Sequence, residues 1–174
     1  MYDKCEQILI SKESLRKRTE ELGRMITEDY KGKELIVIGV LRGSFIFLAD
    51  LVRAIEIPLS VDFVIAKSYM GTETTGEVRI LKDVDVKISG KHVLIVEDII
   101  DSGFTLSKLV EHFSGRNAAS VRICTALNKP SRRVIKDLKV DYVGFDVPDA
   151  FVVGYGLDFN ENMRNFPEIR IYKP

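Results

Sequence analysis

Apolar and polar positions recur along this chain in two periods, and the changes of period divide it into strand–turn–helix units. Leu15, Thr19, Leu22 and Ile26 share one helix face. Ser11 stands before them as a good N-cap, Ile10 can staple onto Leu15, and Gly32 supplies a stop. Leu35 to Val40 is a continuous apolar run, the mark of a buried strand. Leu41-Arg42-Gly43-Ser44 turns it into a second helix whose face holds Leu48, Leu51, Val52 and Ile55. Val61, Phe63 and Ile65 alternate as a strand, with Val78 to Leu81 placed to pair with it. Val93 to Val96 is a further buried run. It stops at two adjacent acids, Glu97 and Asp98, and passes through a turn of Asp101, Ser102, Gly103 and Thr105. Helical spacing then returns at Leu106, Leu109, Val110 and Phe113. Val121 to Ala126 is another buried run, followed by Lys129-Pro130 and a short polar helix. Tyr142 to Phe145 reads as a last strand before an irregular tail.

Strands alternating with helices predict the α/β class, a mostly parallel central sheet with helices on both faces. Ligands of such sheets gather beyond the carboxyl ends of the strands. Arg42, Glu97, Asp98, Asp101 and Lys129 all fall just after strand-like runs, which predicts one shared site. With no repeat, low-complexity tract or linker, residues 1–174 read as a single domain.

Composition narrows the function classes. The 174 residues are 45% hydrophobic and 30% charged, as in a globular protein with a proper core. Lys plus Arg equals Asp plus Glu at 26 each, so no net basic field points to nucleic acid. Asp3, Lys4 and Glu6 interrupt the first ten residues, which argues against a signal peptide. No stretch has the length of a membrane span. Cys5 and Cys124, with only His92 and His112 beside them, form neither a disulfide framework nor a zinc pattern. A cytoplasmic protein is expected.

The turn after the third buried run carries the most chemistry. A small-residue turn at a helix start presents free backbone N–H groups and a positive dipole end, which bind phosphate. Glu97 and Asp98 would repel a phosphate, so they suit hydroxyl groups or a metal-bound sugar nearby. A helix cap at Asp101 or Ser102 would account for one residue of this run but not for the acid pair or Gly103. Phosphate donors on one side and carboxylates on the other fit a ribose 5-phosphate.

The run Val-Leu-Ile-Val-Glu-Asp-Ile-Ile-Asp-Ser-Gly-Phe-Thr-Leu, residues 93–106, resembles the phosphoribosyl-diphosphate (PRPP) signature of the type I phosphoribosyltransferases. The likeness extends from Leu35 to Arg164, with four motifs in the expected order. It implies that family's fold, with a small C-terminal hood formed mainly by the N-terminal segment and residues 147–174. It also implies PRPP and ribose-phosphate binding by Glu97, Asp98, Asp101, Ser102, Gly103, Phe104 and Thr105, with Asp101 as catalytic base. Leu41, Arg42 and Gly43 resemble the pyrophosphate loop, whose peptide before the residue matching Arg42 can be cis in the family. Arg164 matches the arginine that approaches pyrophosphate. Without the likeness, Leu41 to Gly43 would be an ordinary strand-to-helix turn. Ser68 and Tyr69 open a polar run, Met70 to Gly76, that would be a hairpin loop by itself and a mobile lid by resemblance.

The remaining motifs point to the base. In the 6-oxopurine branch, a lysine at the place of Lys129 donates to the exocyclic oxygen. The tail from Val147 to Asp158 resembles the purine-binding hood of the hypoxanthine-guanine branch, with Phe151 stacking on the base and Val152 and Asp158 meeting its edge. Taken alone, Lys129 would be a solvated loop lysine and Phe151 a core residue. Gly154-Tyr155-Gly156 lacks the third glycine of a dinucleotide fingerprint. Phe104 stands where some members carry lysine, and Arg42 where others carry lysine or a small residue. The resemblance implies Mg2+ as cofactor, with Glu97, Asp98 and Asp158 as its carboxylates. It implies PRPP, hypoxanthine, guanine and pyrophosphate as ligands, and a homodimer or homotetramer as the assembly. Rival readings are the same chemistry on xanthine or another base, and a PRPP-sensing regulator without turnover. The regulator would be expected to add a DNA-binding segment or basic face, and the sequence has neither.

Overall fold

The apolar runs form strands and the segments of helical period form helices in the computed structural model, which describes Lys4, Cys5 and residues 7–69 and 77–173. In chain order these are β1 (Ile8–Ile10), α1 (Lys12–Asp29), β2 (Leu35–Leu41), α2 (Phe45–Ala54), β3 (Leu59–Tyr69) and β4 (Glu77–Lys82). They continue as β5 (His92–Ile100), α3 (Phe104–Ser114), β6 (Ser120–Asn128), β7 (Tyr142–Asp146), β8 (Val152–Val153) and β9 (Ile169–Ile171). Ser11 caps α1 as its sequence position predicts, its hydroxyl accepting the Ser14 N–H at 3.2 Å.

Six strands make the central sheet in the order β4-β3-β2-β5-β6-β7. All neighbours run parallel except β4, which returns antiparallel along β3 at the edge. β2 is buried from Leu35 through Val40 because helices cover both faces of the sheet. On one face α1 and α2 bring Leu22, Ile26, Phe47 and Leu51 onto Val37, Leu94 and Val96. On the other, α3 brings Leu109 and Phe113 onto Ile36, Ile38, Val93 and Ile95. Each such side chain contributes roughly 1.5–3 kcal/mol by burial, so the sheet is the rigid part of the molecule.

Three expectations from the sequence need correction. β5 does not stop at Val96 but runs on through Glu97 and Asp98 to Ile100. Its pairing with β2 ends at Gly39↔Val96, while the ladder to β6 continues through Ile99↔Leu127 and Ile100↔Asn128. One remaining neighbour is enough to keep the two acids in a strand. The polar helix after Lys129 is a single 3-10 turn, Pro130–Arg132. The tail is not wholly irregular: β8 and β9 join β1 in a three-stranded antiparallel sheet, order β1-β9-β8. This small sheet is the hood, built from both ends of the chain. The lid run from Met70 to Gly76, and the side chains of Ser68 and Tyr69, lie outside the described residues.

Candidate active site

After β2 the chain turns to α2 on one face of the sheet, and after β5 it turns to α3 on the other. The carboxyl ends of β2 and β5 therefore part, leaving a crevice at the place where α/β sheets bind ligands. Two connected cavities open there. One, of about 470 Å³, is lined by Glu97, Asp101, Ser102, Gly103, Thr105 and Arg132. The other, of about 410 Å³, is lined by Leu41, Arg42, Gly43, Lys67, Glu97 and Asp98. They share Glu97, Ile99 and Thr105.

The first cavity is the predicted phosphate turn. Gly103 takes φ +89°, which lets the chain leave β5 and enter α3 directly. A Cβ there would stand 3.2 Å from Leu138 Cδ2 and 3.3 Å from Arg133 Cδ. The Ser102 carbonyl accepts Val134 and Ile135 N–H at 3.0 Å each, pinning the segment after the 3-10 turn beneath the helix start. The opening turn of α3 carries no acid, and Gly103, Thr105 and Leu106 at the helix start line the cavity, so the dipole there is uncompensated by a carboxylate of that turn. Phe104 starts the helix without lining either cavity. Asp101 is exposed, its Oδ1 lying 3.8 Å from Arg132 Nε, which is itself 3.1 Å from Asp149 Oδ1.

The acid pair sits between the two cavities. Glu97 Oε1 accepts the Asp98 N–H at 3.2 Å, and Asp98 Oδ1 accepts the Ile99 N–H at 2.7 Å. Burial, and then the Asp98 charge beside it, push the Glu97 carboxyl well above the ordinary carboxylate range. Burial raises Asp98 as well. Two adjoining carboxylates with this strain favour a cation or hydroxyl donors as partners. Across from them the Leu41–Arg42 peptide is cis. Gly43 packs so closely on Asp98 that a Cβ would overlap its Oδ2.

The hood packs against the loop that lines the second cavity. Gly156, at φ +103°, lies against the Gly43 carbonyl where a Cβ would collide. The Gly156 carbonyl accepts Arg164 Nη1 at 2.8 Å. Arg164 Nη2 pairs with Asp158 Oδ1 at 2.9 Å and Glu161 Oε2 at 3.0 Å. Arg42 Nη1 reaches the same Glu161 oxygen at 2.9 Å. Arg42 and Arg164 are thus brought together as predicted. Asp158 is drawn to Arg164 rather than to Glu97 and Asp98, and no three acids or histidines among the described residues form a metal-binding cluster.

Lys129 is 7% exposed, and its ammonium has no acceptor among the described residues. Its backbone N–H is held by the Ile100 carbonyl at 3.0 Å, beside the phosphate turn. Phe151, by contrast, is 50% exposed. Its ring meets Phe159 and Tyr172 in T-shaped contacts at 5.7 Å each. Val152 is buried in β8, paired with Ile171. Sequence reasoning missed Lys67, Arg132 and Glu161. Arg132 lies three residues past Lys129 and so shared its strand-end signal, whereas Glu161 carried none. A larger cavity of about 600 Å³ between α1, α2 and the hood holds none of the predicted residues. Within it Arg16 pairs with Glu20 at 2.6 Å, and Asp50 accepts the Tyr155 hydroxyl at 2.7 Å.

A doubly covered parallel sheet with a phosphate turn, an acid pair and a basic loop at its switch point defines a protein that handles sugar phosphates. The chain belongs to the phosphoribosyltransferase family: the model of the phosphoribosyl transferase domain matches residues 5–160. It is 51% identical to the hypoxanthine-guanine phosphoribosyltransferase of Bacillus subtilis, over 100% of this chain and 97% of that protein. It is 52% identical to the hypoxanthine phosphoribosyltransferase of Salmonella typhimurium, over 94% and 93% of the two chains. Among solved structures, a hypoxanthine phosphoribosyltransferase from Staphylococcus aureus superposes with a TM-score of 0.95 at 44% identity, covering 100% of this chain and 95% of that one.

Proposed function

We propose that this chain is a purine salvage enzyme that transfers the 5-phosphoribosyl group of PRPP to N9 of hypoxanthine, and of guanine, with release of pyrophosphate. The bond from C1′ to the pyrophosphate oxygen breaks, the bond from C1′ to N9 forms, and the purine loses one proton. The observation that carries the choice of base is Lys129: a largely buried side chain, 7% exposed, whose ammonium has donors to give and no acceptor among the described residues suits the exocyclic oxygen of a 6-oxopurine. The half-exposed Phe151 suits stacking on the ring, and the likeness to hypoxanthine and hypoxanthine-guanine enzymes over 94–100% of the chain supports the same substrates.

The 5-phosphate is assigned to the N–H groups and hydroxyls of Ser102, Gly103 and Thr105, and the pyrophosphate to the Leu41–Gly43 loop with Arg164. Glu97 and Asp98 hold the ribose hydroxyls and favour positive charge developing at the ribose. Asp101 accepts the proton leaving the purine, at N7 in this reading. Mg2+ fits the strained acid pair and, held by few protein carboxylates, would take most of its oxygens from PRPP and water while neutralising the leaving group. The family likeness also assigns a homodimer or homotetramer and a cytoplasmic setting. No helix among the described residues is long and apolar enough to cross a membrane.

The test compares kcat/KM for hypoxanthine and adenine in wild type, Asp101→Asn and Lys129→Gln. Asp101→Asn should lower kcat by about 10²–10⁴-fold with smaller changes in either KM. Wild type should reject adenine, whose amino group finds no lone pair on a lysine; the Gln amide can accept, so that variant should narrow the gap. Unchanged discrimination would remove Lys129 from the base site, and near-normal turnover would remove Asp101 from proton transfer.

A further inference from the structure

Glu161 is an acid beside the crevice to which the proposed reaction gives no task. Its Oε2 stands 2.9 Å from Arg42 Nη1 and 3.0 Å from Arg164 Nη2. One guanidinium belongs to the loop after β2 and the other to the hood, so a single carboxylate oxygen joins the two. The backbone delivers it there deliberately. Glu161 takes φ +62°, and its N–H donates to Asp158 Oδ2 at 2.8 Å. The turn closes through reciprocal hydrogen bonds of 3.1 Å between Phe159 and Asn162. It is anchored by Met163 in the hood core and by Phe159, stacked on Tyr172 at 4.2 Å.

Guanidinium forks bind carboxylate and phosphate oxygens with the same planar donor geometry. A carboxylate held between Arg42 and Arg164 therefore makes contacts of the kind a pyrophosphate oxygen makes. Hydrogen bonding by Arg164, aided by Arg42, keeps the Glu161 carboxyl below its ordinary range, so it is charged at neutral pH. Its pair with Arg42 is open to solvent, with side-chain exposures of 64% and 70%. Such a pair is weak, and a multiply charged pyrophosphate displaces it easily.

We propose that Glu161 is a positioning residue that stands in for pyrophosphate: it holds Arg42 and Arg164 in register between turnovers, gives way to the pyrophosphoryl group of PRPP, and returns as the product leaves. This rests on the reading of Arg42 and Arg164 as pyrophosphate ligands. It has an unusual sign. Removing a supporting residue weakens ligand binding, whereas removing a competitor for the same donors strengthens it.

The experiment is calorimetric titration of wild type, Glu161→Gln, Glu161→Asp and Arg42→Gln with magnesium pyrophosphate, together with KM for hypoxanthine. Gln lacks the charge; Asp keeps it but is one methylene too short to span both arginines. Both Glu161 variants should bind pyrophosphate roughly two- to fivefold more tightly, the scale of an exposed ion pair, with KM for hypoxanthine unchanged. Arg42→Gln should bind it more weakly. If Glu161→Asp matches wild type while Glu161→Gln tightens, the effect is charge at a distance and the stand-in is overturned. If neither Glu161 variant tightens while Arg42→Gln weakens, Glu161 is scaffold: this proposal falls and the pyrophosphate site survives. If Arg42→Gln binds like wild type, the pyrophosphate site itself falls and takes the proposal with it.

Discussion

Replacing Gly43 by alanine adds one methyl group where the loop after β2 meets the acid pair. Its Cβ would overlap Asp98 Oδ2 and stand 2.6 Å from Asp98 Cγ, where ordinary contacts begin at 3.4 Å. The close-packed crevice gives little room, so the carboxylate must retreat, its Oδ2 by roughly 2 Å. That movement breaks or stretches the 2.7 Å hydrogen bond from the Ile99 N–H to Asp98 Oδ1. The backbone itself is not the obstacle, because Gly43 lies outside the positive-φ region. A hydrogen bond to a charged acceptor is worth about 1.5–3 kcal/mol, which is roughly ten- to a hundredfold in rate if the bond matters only for catalysis. Misplacing a reacting group by about 1 Å independently suggests about 10²-fold. Gly43→Ala should therefore lose about one to two orders of magnitude in kcat/KM for PRPP while keeping a cooperative thermal transition near that of wild type. Steady-state kinetics at saturating hypoxanthine, alongside a thermal melt, provide the assay. A variant that folds normally and turns over within about threefold of wild type would refute the reasoning, since Asp98 would then have no work to do at its present position.

Two further outcomes follow from separate parts of the structure. Phe151→Leu keeps apolar bulk but removes the exposed ring face, so KM for the purine should rise a few-fold to about tenfold, the scale of lost stacking, with KM for PRPP little changed; a fall in PRPP affinity instead would make Phe151 a packing residue. Asp62→Asn tests the base of the β3–β4 arm, where one buried carboxylate accepts the N–H groups of Phe63, Asp85 and Val86 at 2.7, 2.7 and 3.0 Å. Burial opposes that charge, yet the three donors and Lys82 together hold its pKa below 3.8. Since the folded value is the lower one, its stabilisation is present above the unfolded pKa and is lost as pH falls through the folded pKa. The variant should lose about 2–4 kcal/mol in urea unfolding at pH 7, with the gap narrowing only below pH 3.8; a pH-independent gap would show that charge is not what holds the arm.

The central sheet was legible because its strands are buried on both faces, which makes them continuous apolar runs. Leu35 to Val40 and Val93 to Val96 need no partner information to be recognised. The end of β5 was misread for a physical reason: Glu97 and Asp98 look like a stop, but β6 alone keeps their backbone paired. The hood sheet left little trace. β8 has two residues and β9 three, and β9 pairs with β1 from the opposite end of the chain. The turn and acid pair could be read from local chemistry, since Asp101, Ser102, Gly103 and Thr105 line one cavity within five consecutive residues. Lys129 and Glu161 could not be read in this way. The burial of Lys129 comes from tertiary packing, and Glu161 meets Arg42 across 119 positions of sequence.

The central claim, ribosyl transfer from PRPP to a 6-oxopurine at the crevice between β2 and β5, is tested most directly by product analysis. Purified protein with PRPP, Mg2+ and hypoxanthine should yield inosine monophosphate and pyrophosphate in equal amounts, with saturable dependence on both substrates, while adenine in place of hypoxanthine yields neither. Pyrophosphate without nucleotide would mean that PRPP is merely hydrolysed. Neither product from hypoxanthine or guanine, in a protein that is folded and binds PRPP, would contradict the account.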